Sequence, residues 1–252
     1  MKLKYITCSD PREHNSIKSI MELARMPNAE IAVQCHPSKM SYDMPRHVWF
    51  NKLLIEAKYA QNINLAIHIN NEWAKAICNY GIIPDVIIEW IRIKNENNNP
   101  VIKRIQLNMP KETAGDMHPG IVARVIQSFP HQEFIFQYND NTKSAIQKLH
   151  KTNAKFSLLF DASGGRGIAP KSWEKPIYET HPMGYSGGMS PDNVIGNLHQ
   201  IDKIVPKDSN IWIDAEGKLK SNDLFDEKPK FDIELAKAYV TRANMWKKQN
   251  SR

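Results

Sequence analysis

Two stretches in the second half of the chain carry residue types that could do chemistry. Phe156 to Gly167 reads FSLLFDASGGRG, and Met183 to Val194 reads MGYSGGMSPDNV. In each, an apolar run stops at a polar or glycine-rich turn. The first run ends on Asp161; a carboxylate at the end of an apolar strand, in a partly dry mouth, can have a raised pKa and act as a general acid. The second ends on Gly187-Gly188. Paired glycines let backbone N–H groups converge on an anion, and a helix beginning near Pro191 would add its positive end. Gly217, after IWIDAE, offers a matching element one unit later. The GGRG stretch, with Gly165 and Gly167, supplies backbone able to fold over a ligand. Together these residues point to proton transfer on a phosphorylated substrate. Taken singly, each has a structural counterpart: an aspartate bracing a loop, or a tight turn needing positive φ. Cys8, closing the run LKYITC, adds a thiol at a strand end. Such a thiol can become a thiolate and serve as base or nucleophile, although most free cysteines are small buried residues.

Positioning these residues needs a repeated scaffold. Eight short apolar segments end at polar or turn residues: Leu3–Cys8, Glu30–Cys35, Asn64–Ile69, Ile102–Leu107, Glu133–Tyr138, Lys155–Asp161, Met183–Ser186 and Ile211–Asp214. β-branched and aromatic residues dominate most of them, as expected of strands. Helical patterns fall between. Asn15 or Ser16 caps IKSIMELARM, HVWFNKLLIEAKYA keeps helical spacing, NEWAKAICNYG ends on Gly81, and Pro119 opens PGIVARVIQSF. NTKSAIQKLHK, SPDNVIGNLHQI and FDIELAKAYVTRANMWKK complete the set. Strand–helix alternation of this length calls for right-handed parallel crossovers, and eight units close an α/β (βα)8 barrel as a single domain over residues 1–252. An open doubly wound sheet is the alternative. The segment around residues 85–100 is an added piece whose VIIEWIRIK reads as helix or strand. In a barrel the strand ends share one mouth, which gathers Cys8, Cys35–His36, His68–Asn70, Gln106–Asn108, Asp161, Gly187–Gly188 and Asp214–Gly217.

Composition narrows the function classes. Hydrophobic residues make up 41% and charged residues 24%, an ordinary globular balance. No apolar run reaches the roughly 18 residues of a membrane span. The start MKLKYITCSD lacks a secretory signal's apolar core, and the three cysteines (Cys8, Cys35, Cys78) form no CxxC pair, so the cytoplasm is the expected compartment. The net charge of +7 comes from scattered lysines and arginines without a nucleic-acid-binding signature. Nucleic acid is therefore not expected as a partner; the charge reads as a solvated basic surface, with steering of an anionic substrate as the alternative. His36, His68 and His181 fall near the expected mouth without HxH or HExxH spacing, so no metal site is expected. No Walker, GxSxG or dinucleotide fingerprint occurs.

The late segments resemble a known family. Leu158-Leu159-Phe160-Asp161, Gly164-Gly165-Arg166-Gly167 and Ser186-Gly187-Gly188-Met189-Ser190-Pro191-Asp192-Asn193-Val194 follow one another as do the LLLD strand end, GGxG loop and xGGLxPENV segment of phosphoribosylanthranilate isomerases, the barrel enzymes of tryptophan synthesis. Tyr5-Ile6-Thr7-Cys8-Ser9 is similar to the family's KICGI-like first strand. The resemblance implies an Amadori rearrangement of an aminoaldose phosphate to an aminoketose phosphate, without a cofactor. It gives Asp161 the role of acid that opens the sugar ring and Cys8 that of base at C2. Phosphate falls to the backbone of Gly187, Gly188 and Gly217, with Gly165 and Gly167 in the closing loop. Lys39, or the later Arg46, would stand where the family has an arginine for the substrate's aromatic carboxylate, and lysine lacks the bidentate fork. Gln106 and Asp214 are the further substrate-binding positions. Gln106-Leu107-Asn108-Met109 departs from the family's QLHG, and Asp214-Ala215-Glu216-Gly217 loses the serines of its eighth turn. The expected protein is thus an isomerase of a small phosphosugar, monomer or homodimer. The alternative is a phosphate-ligand-binding barrel with lost or changed activity that engages a polyanion.

Overall fold

The computed structural model describes residues 1–110, 112–161, 167–222 and 228–250. Eight parallel strands close into a barrel in sequence order: β1 (Lys2–Ser9), β2 (Ala29–Cys35), β3 (Leu65–Asn70), β4 (Ile102–Asn108), β5 (Glu133–Tyr138), β6 (Ser157–Phe160), β7 (Met183–Ser186) and β8 (Asn210–Ala215). β8 pairs back onto β1, joining Asp214 to Thr7. Each strand falls on one of the eight apolar segments. The outer layer is built by α1 (Ile17–Ala24), α2 (Pro37–Met40), α3 (Pro45–Tyr59), α4 (Asn71–Tyr80), α5 (Asp85–Ile91), α6 (Pro119–Ser128), α7 (Lys143–His150), α8 (Val194–Asp202) and α9 (Ile233–Asn250). Ser16 starts α1 by accepting a hydrogen bond from the Ser19 N–H, and Gly81 ends α4 at φ 70. A small antiparallel ribbon of β9 (Lys220–Ser221) and β10 (Lys230–Phe231) follows β8.

Two connections differ from a plain strand–helix unit. The ambiguous VIIEWIRIK is helical in α5, which buries Val86, Ile87, Trp90 and Ile91 on one face, and the asparagine-rich stretch beyond it folds back through a Lys94–Pro100 bridge. Between β6 and β7, residues 167–182 contain no helix. Pro170, Pro176 and Pro182 remove backbone donors along this stretch and disfavour a helix there. Trp173 takes over the covering role, its ring 6.1 Å from Phe160 and 5.8 Å from Tyr185.

The two faces of the barrel wall have different chemistry. Residues pointing outward, such as Ile6, Cys8, Ile31, Val33, Ile67 and Ile213, join one apolar core with the helices. The lumen holds a small apolar cluster of Ile135, Leu159 and Trp212 beside Tyr5, and next to it, on the side away from the mouth, a polar layer. There the Arg104 guanidinium lies over the rings of Tyr5 and Trp212 at 4.5 and 4.2 Å and donates to Glu30 at 2.6 Å and Glu133 at 3.2 Å. Thr7 donates to Glu30, and Ser157 to Glu133. Burial pushes the Glu30 carboxyl upward, opposed by Arg104. Gly184 is required beside this layer: a Cβ there would come within 2.0 Å of the Trp212 ring. Among the described residues no helix is long and apolar enough to cross a membrane.

Candidate active site

The C-terminal ends of the strands open on a cavity of about 600 Å³. Asp161, Gly167, Gly187, Gly188, Gly217, Lys39, Gln106 and Asp214 all line it, although they come from the loops or ends of five different strands. Gly165 lies outside the described residues. Cys8 is the correction. Side chains alternate along a strand, and on β1 it is Thr7 and Ser9 that turn inward, to Glu30 and Asp214. Cys8 faces the helix layer, is fully buried in the apolar core and does not reach the cavity. Burial, reinforced by the charges of Asp214 and Glu30, holds its thiol well above the ordinary range. His36 and His68 line the mouth, but His181 does not: it sits at the opposite end of the barrel, bonded to His150 at 2.9 Å, beside a second cavity of about 700 Å³. Cys35 likewise points away from the mouth into the core.

Two carboxylates flank the cavity at one height. Phe160 pairs with Tyr185, and the next residue of β7, Ser186, pairs with Asp214. Asp161, following Phe160, and Asp214 therefore stand on either side of Ser186. Two strand spacings put their backbones roughly 10 Å apart. Asp161 accepts from the Gln137 amide at 3.4 Å. Asp214 accepts a 2.6 Å bond from the Ser9 hydroxyl, and the imidazole Nε2 of His68 lies 4.0 Å from its other oxygen. Burial pushes the Asp214 carboxyl up to about 7; Ser9 opposes this, while Glu216 and Glu30 add to it. His68 is driven down to about 3 by burial and by Arg104, so its ring is neutral.

Asp10 behaves in the opposite way. It sits just past β1 at φ 72, a left-handed conformation that aspartate tolerates better than most residues. Burial alone would raise its carboxyl, yet bonds from Arg12 and Lys220 hold it below the ordinary range. Lys220 donates to Asp10 at 2.7 Å and to Glu216 at 2.9 Å, while Arg46 is 3.9 Å from Asp10 and bonds Glu13 at 3.0 Å. Asp10 is thereby fixed as an anion.

A directed chain of amides crosses the mouth from β4 to β8. Gln106 donates to Asn108, Asn108 to Asn70, Asn70 to Gln34 and Gln34 to Glu216, at 2.9, 3.0, 2.7 and 3.0 Å. The carboxylate at one end sets the direction, because it can only accept. At the other end the buried Oε1 of Gln106 has no protein donor among the described residues. A buried acceptor left unpaired is costly, and it favours a ligand that brings a hydroxyl or amine.

The glycine loop is held by its neighbours. Asn193 accepts from the Ser190 N–H and donates to the Gly188 carbonyl, at 2.8 and 2.9 Å. α8 begins at Val194, three residues after the Pro191 start expected from the sequence, because these bonds keep the intervening residues in turns. Gly187 and Gly188 adopt φ 124 and 60, and the chain at 167–169 packs directly on them. Among the described residues, neither glycine N–H donates to a backbone carbonyl. No cluster of three or more His, Cys, Asp or Glu among the described residues could hold a metal ion.

The fold and site define a single (βα)8 barrel with a polar mouth carrying acidic, basic and glycine-rich elements. No family model matches the chain, and no curated protein matches it in sequence. Among solved structures, the crystal structure of TrpF from Jonesia denitrificans is similar over 96% of this chain and 98% of that one, with a TM-score of 0.57 and 15% identity. TrpF is a phosphoribosylanthranilate isomerase. At that identity the relation is one of fold. Asp10, Arg12 and Gln34 also line the mouth without having been expected there, and they lie at or just beyond strand ends. Arg12 and Asp10 stood in view in the turn SDPR, whereas Gln34 shows its role only through the amide chain.

Proposed function

We propose that the mouth isomerises a phosphorylated sugar amine, converting an aminoaldose phosphate to an aminoketose phosphate by acid–base catalysis. The observation that carries this reading is the pair of inward carboxylates, Asp161 and Asp214, at one height beside the Gly187-Gly188 loop. The N–H groups of that loop and the backbone at Gly217 would receive the phosphate, with Lys218 at the rim adding charge. Asp161 protonates the ring oxygen. The C1–O bond then breaks as the amine lone pair forms the C1=N bond of a Schiff base. Loss of the C2 proton gives an enolamine, which tautomerises to the ketone. Gln106 Oε1 accepts from a sugar hydroxyl, and Lys39 with Arg46 faces the substituent on nitrogen. The bound geometry is worth more than any one contact, because it holds ring oxygen and acid together. Turnover of phosphoribosylanthranilate and other aminoaldose phosphates tests the reading. Asp161→Asn is expected to lower kcat by about 10²–10⁴-fold, the usual contribution of a positioned acid.

One observation favours a second reading, a phosphate-binding barrel without turnover: the thiol expected to act as base is turned away from the cavity. That reading predicts saturable binding of inorganic phosphate with no conversion of any aminoaldose phosphate.

A further inference from the structure

With Cys8 in the helix-facing core, the proton on C2 needs another acceptor. Four carboxylates line the mouth: Asp10, Asp161, Asp214 and Glu216. Asp10 is clamped by Arg12 and Lys220, and Glu216 is occupied by Lys220 and by the Gln34 amide. Asp161 already has the acid's place. Asp214 remains, 7% exposed, on the cavity wall across Ser186 from Asp161.

We propose, resting on the isomerase reading, that Asp214 is the base that removes the C2 proton. The Ser9 hydroxyl fixes one carboxylate oxygen at 2.6 Å, and the other oxygen faces His68 across 4.0 Å. That second gap is longer than a hydrogen bond, so Oδ2 keeps capacity to take a proton. Gln34 places its amide nitrogen 3.4 Å from His68 Nδ1. Because the same amide nitrogen donates to Glu216, Nδ1 is the acceptor and the ring proton lies on Nε2, directed toward Asp214. A neutral imidazole N–H there stabilises the carboxylate without neutralising it.

The surroundings set the proton affinity from every side. Glu30 and Glu216 disfavour the anion, Arg104 below favours it, and the buried Cys8 thiol and the Tyr239 phenol of α9 lie behind, both kept protonated by burial. The outcome is a carboxyl that titrates near neutrality, where a general base works best. In the step itself Asp214 takes the proton, the C2–H pair becomes the C1=C2 bond, and the C=N π pair returns to nitrogen.

The test is the pH profile of kcat/KM for the wild type, Asp214→Asn and Cys8→Ala with an aminoaldose phosphate. The wild type should lose activity as pH falls through about 7, since the base must be ionised. Asp214→Asn keeps the shape and the Ser9 bond; it should lose about 10²-fold or more and this acidic limb with it. Cys8→Ala should stay within about twofold, since burial removes Cys8 from the chemistry. Asp214→Ala should recover part of its rate with added formate, which a purely structural role would not give. An active wild type whose Asp214→Asn variant keeps rate and limb overturns the assignment, as does a collapse in Cys8→Ala instead. A wild type inactive on every aminoaldose phosphate overturns the isomerase reading itself, and the base with it.

Discussion

Asp10 and Asp214 are the same residue type in one cavity, and their environments divide them. Asp10 has two cations within hydrogen-bond reach and stays ionised, whereas Asp214 has a hydroxyl, a neutral ring and acidic neighbours. The consequence extends to stability. Asp214 titrates near 7 in the fold against an ordinary value of 3.8, so the folded chain holds a proton that the unfolded chain has released. Its stabilising contribution is fully present below about pH 4 and is lost as pH rises through about 7. Asp214→Asn removes that dependence. Denaturant unfolding at pH 5 and pH 8 should show the variant gaining on the wild type at the higher pH, by roughly 3 kcal/mol at most. An equal difference at both pH values would mean that the carboxyl titrates normally. The Cys8 expectation failed on the same scale. The sequence shows a cysteine at a strand end, but a shift of one residue exchanges the two faces of a strand, and only Ser9 and Thr7 pairing inward reveals which face Cys8 takes.

At the scale of elements, the loop after β7 and the chain at 167–170 form one packed unit. A Cβ on Gly188 would lie 2.8 Å from the Ala169 nitrogen and 3.1 Å from the Gly167 carbonyl, at a φ of +60. Gly188→Ala must therefore push the neighbouring backbone away and take up a left-handed conformation that costs about 1 kcal/mol. Its expected signature is a raised KM for a phosphorylated substrate, at least several-fold, with a smaller change in kcat. An unchanged KM would take the phosphate away from this loop. The glycines and the order of the strands were legible in the sequence, because turn residues punctuate β-branched runs. The lack of a helix over residues 167–182 was legible only through their prolines, and the start of α8 was misjudged because the Asn193 side-chain bonds compete with helix formation.

At the scale of the molecule, the barrel is closed around an ionic layer where such barrels usually carry branched apolar residues. Arg104 is 1% exposed and bonds both Glu30 and Glu133. Replacing it by leucine strands the buried Glu30 carboxylate, and Arg104→Leu should cost about 3–5 kcal/mol in denaturant unfolding; a loss below about 1 kcal/mol would show that the layer rearranges freely. Nothing in strand patterning announces this layer, since the sequence does not show that Glu30, Arg104 and Glu133 meet across the lumen. The same lumen carries the polar mouth above it, where eight of the expected site residues meet on one cavity. The central claim is that this mouth moves a proton from C2 of a phosphorylated sugar amine. It is tested most directly by incubating the protein with an aminoaldose phosphate deuterated at C2 and following the label. The expected result is conversion to the aminoketose with loss of deuterium to solvent and a primary isotope effect, both abolished in Asp161→Asn. Recovery of the aldose with its deuterium intact, while inorganic phosphate still binds, would contradict it.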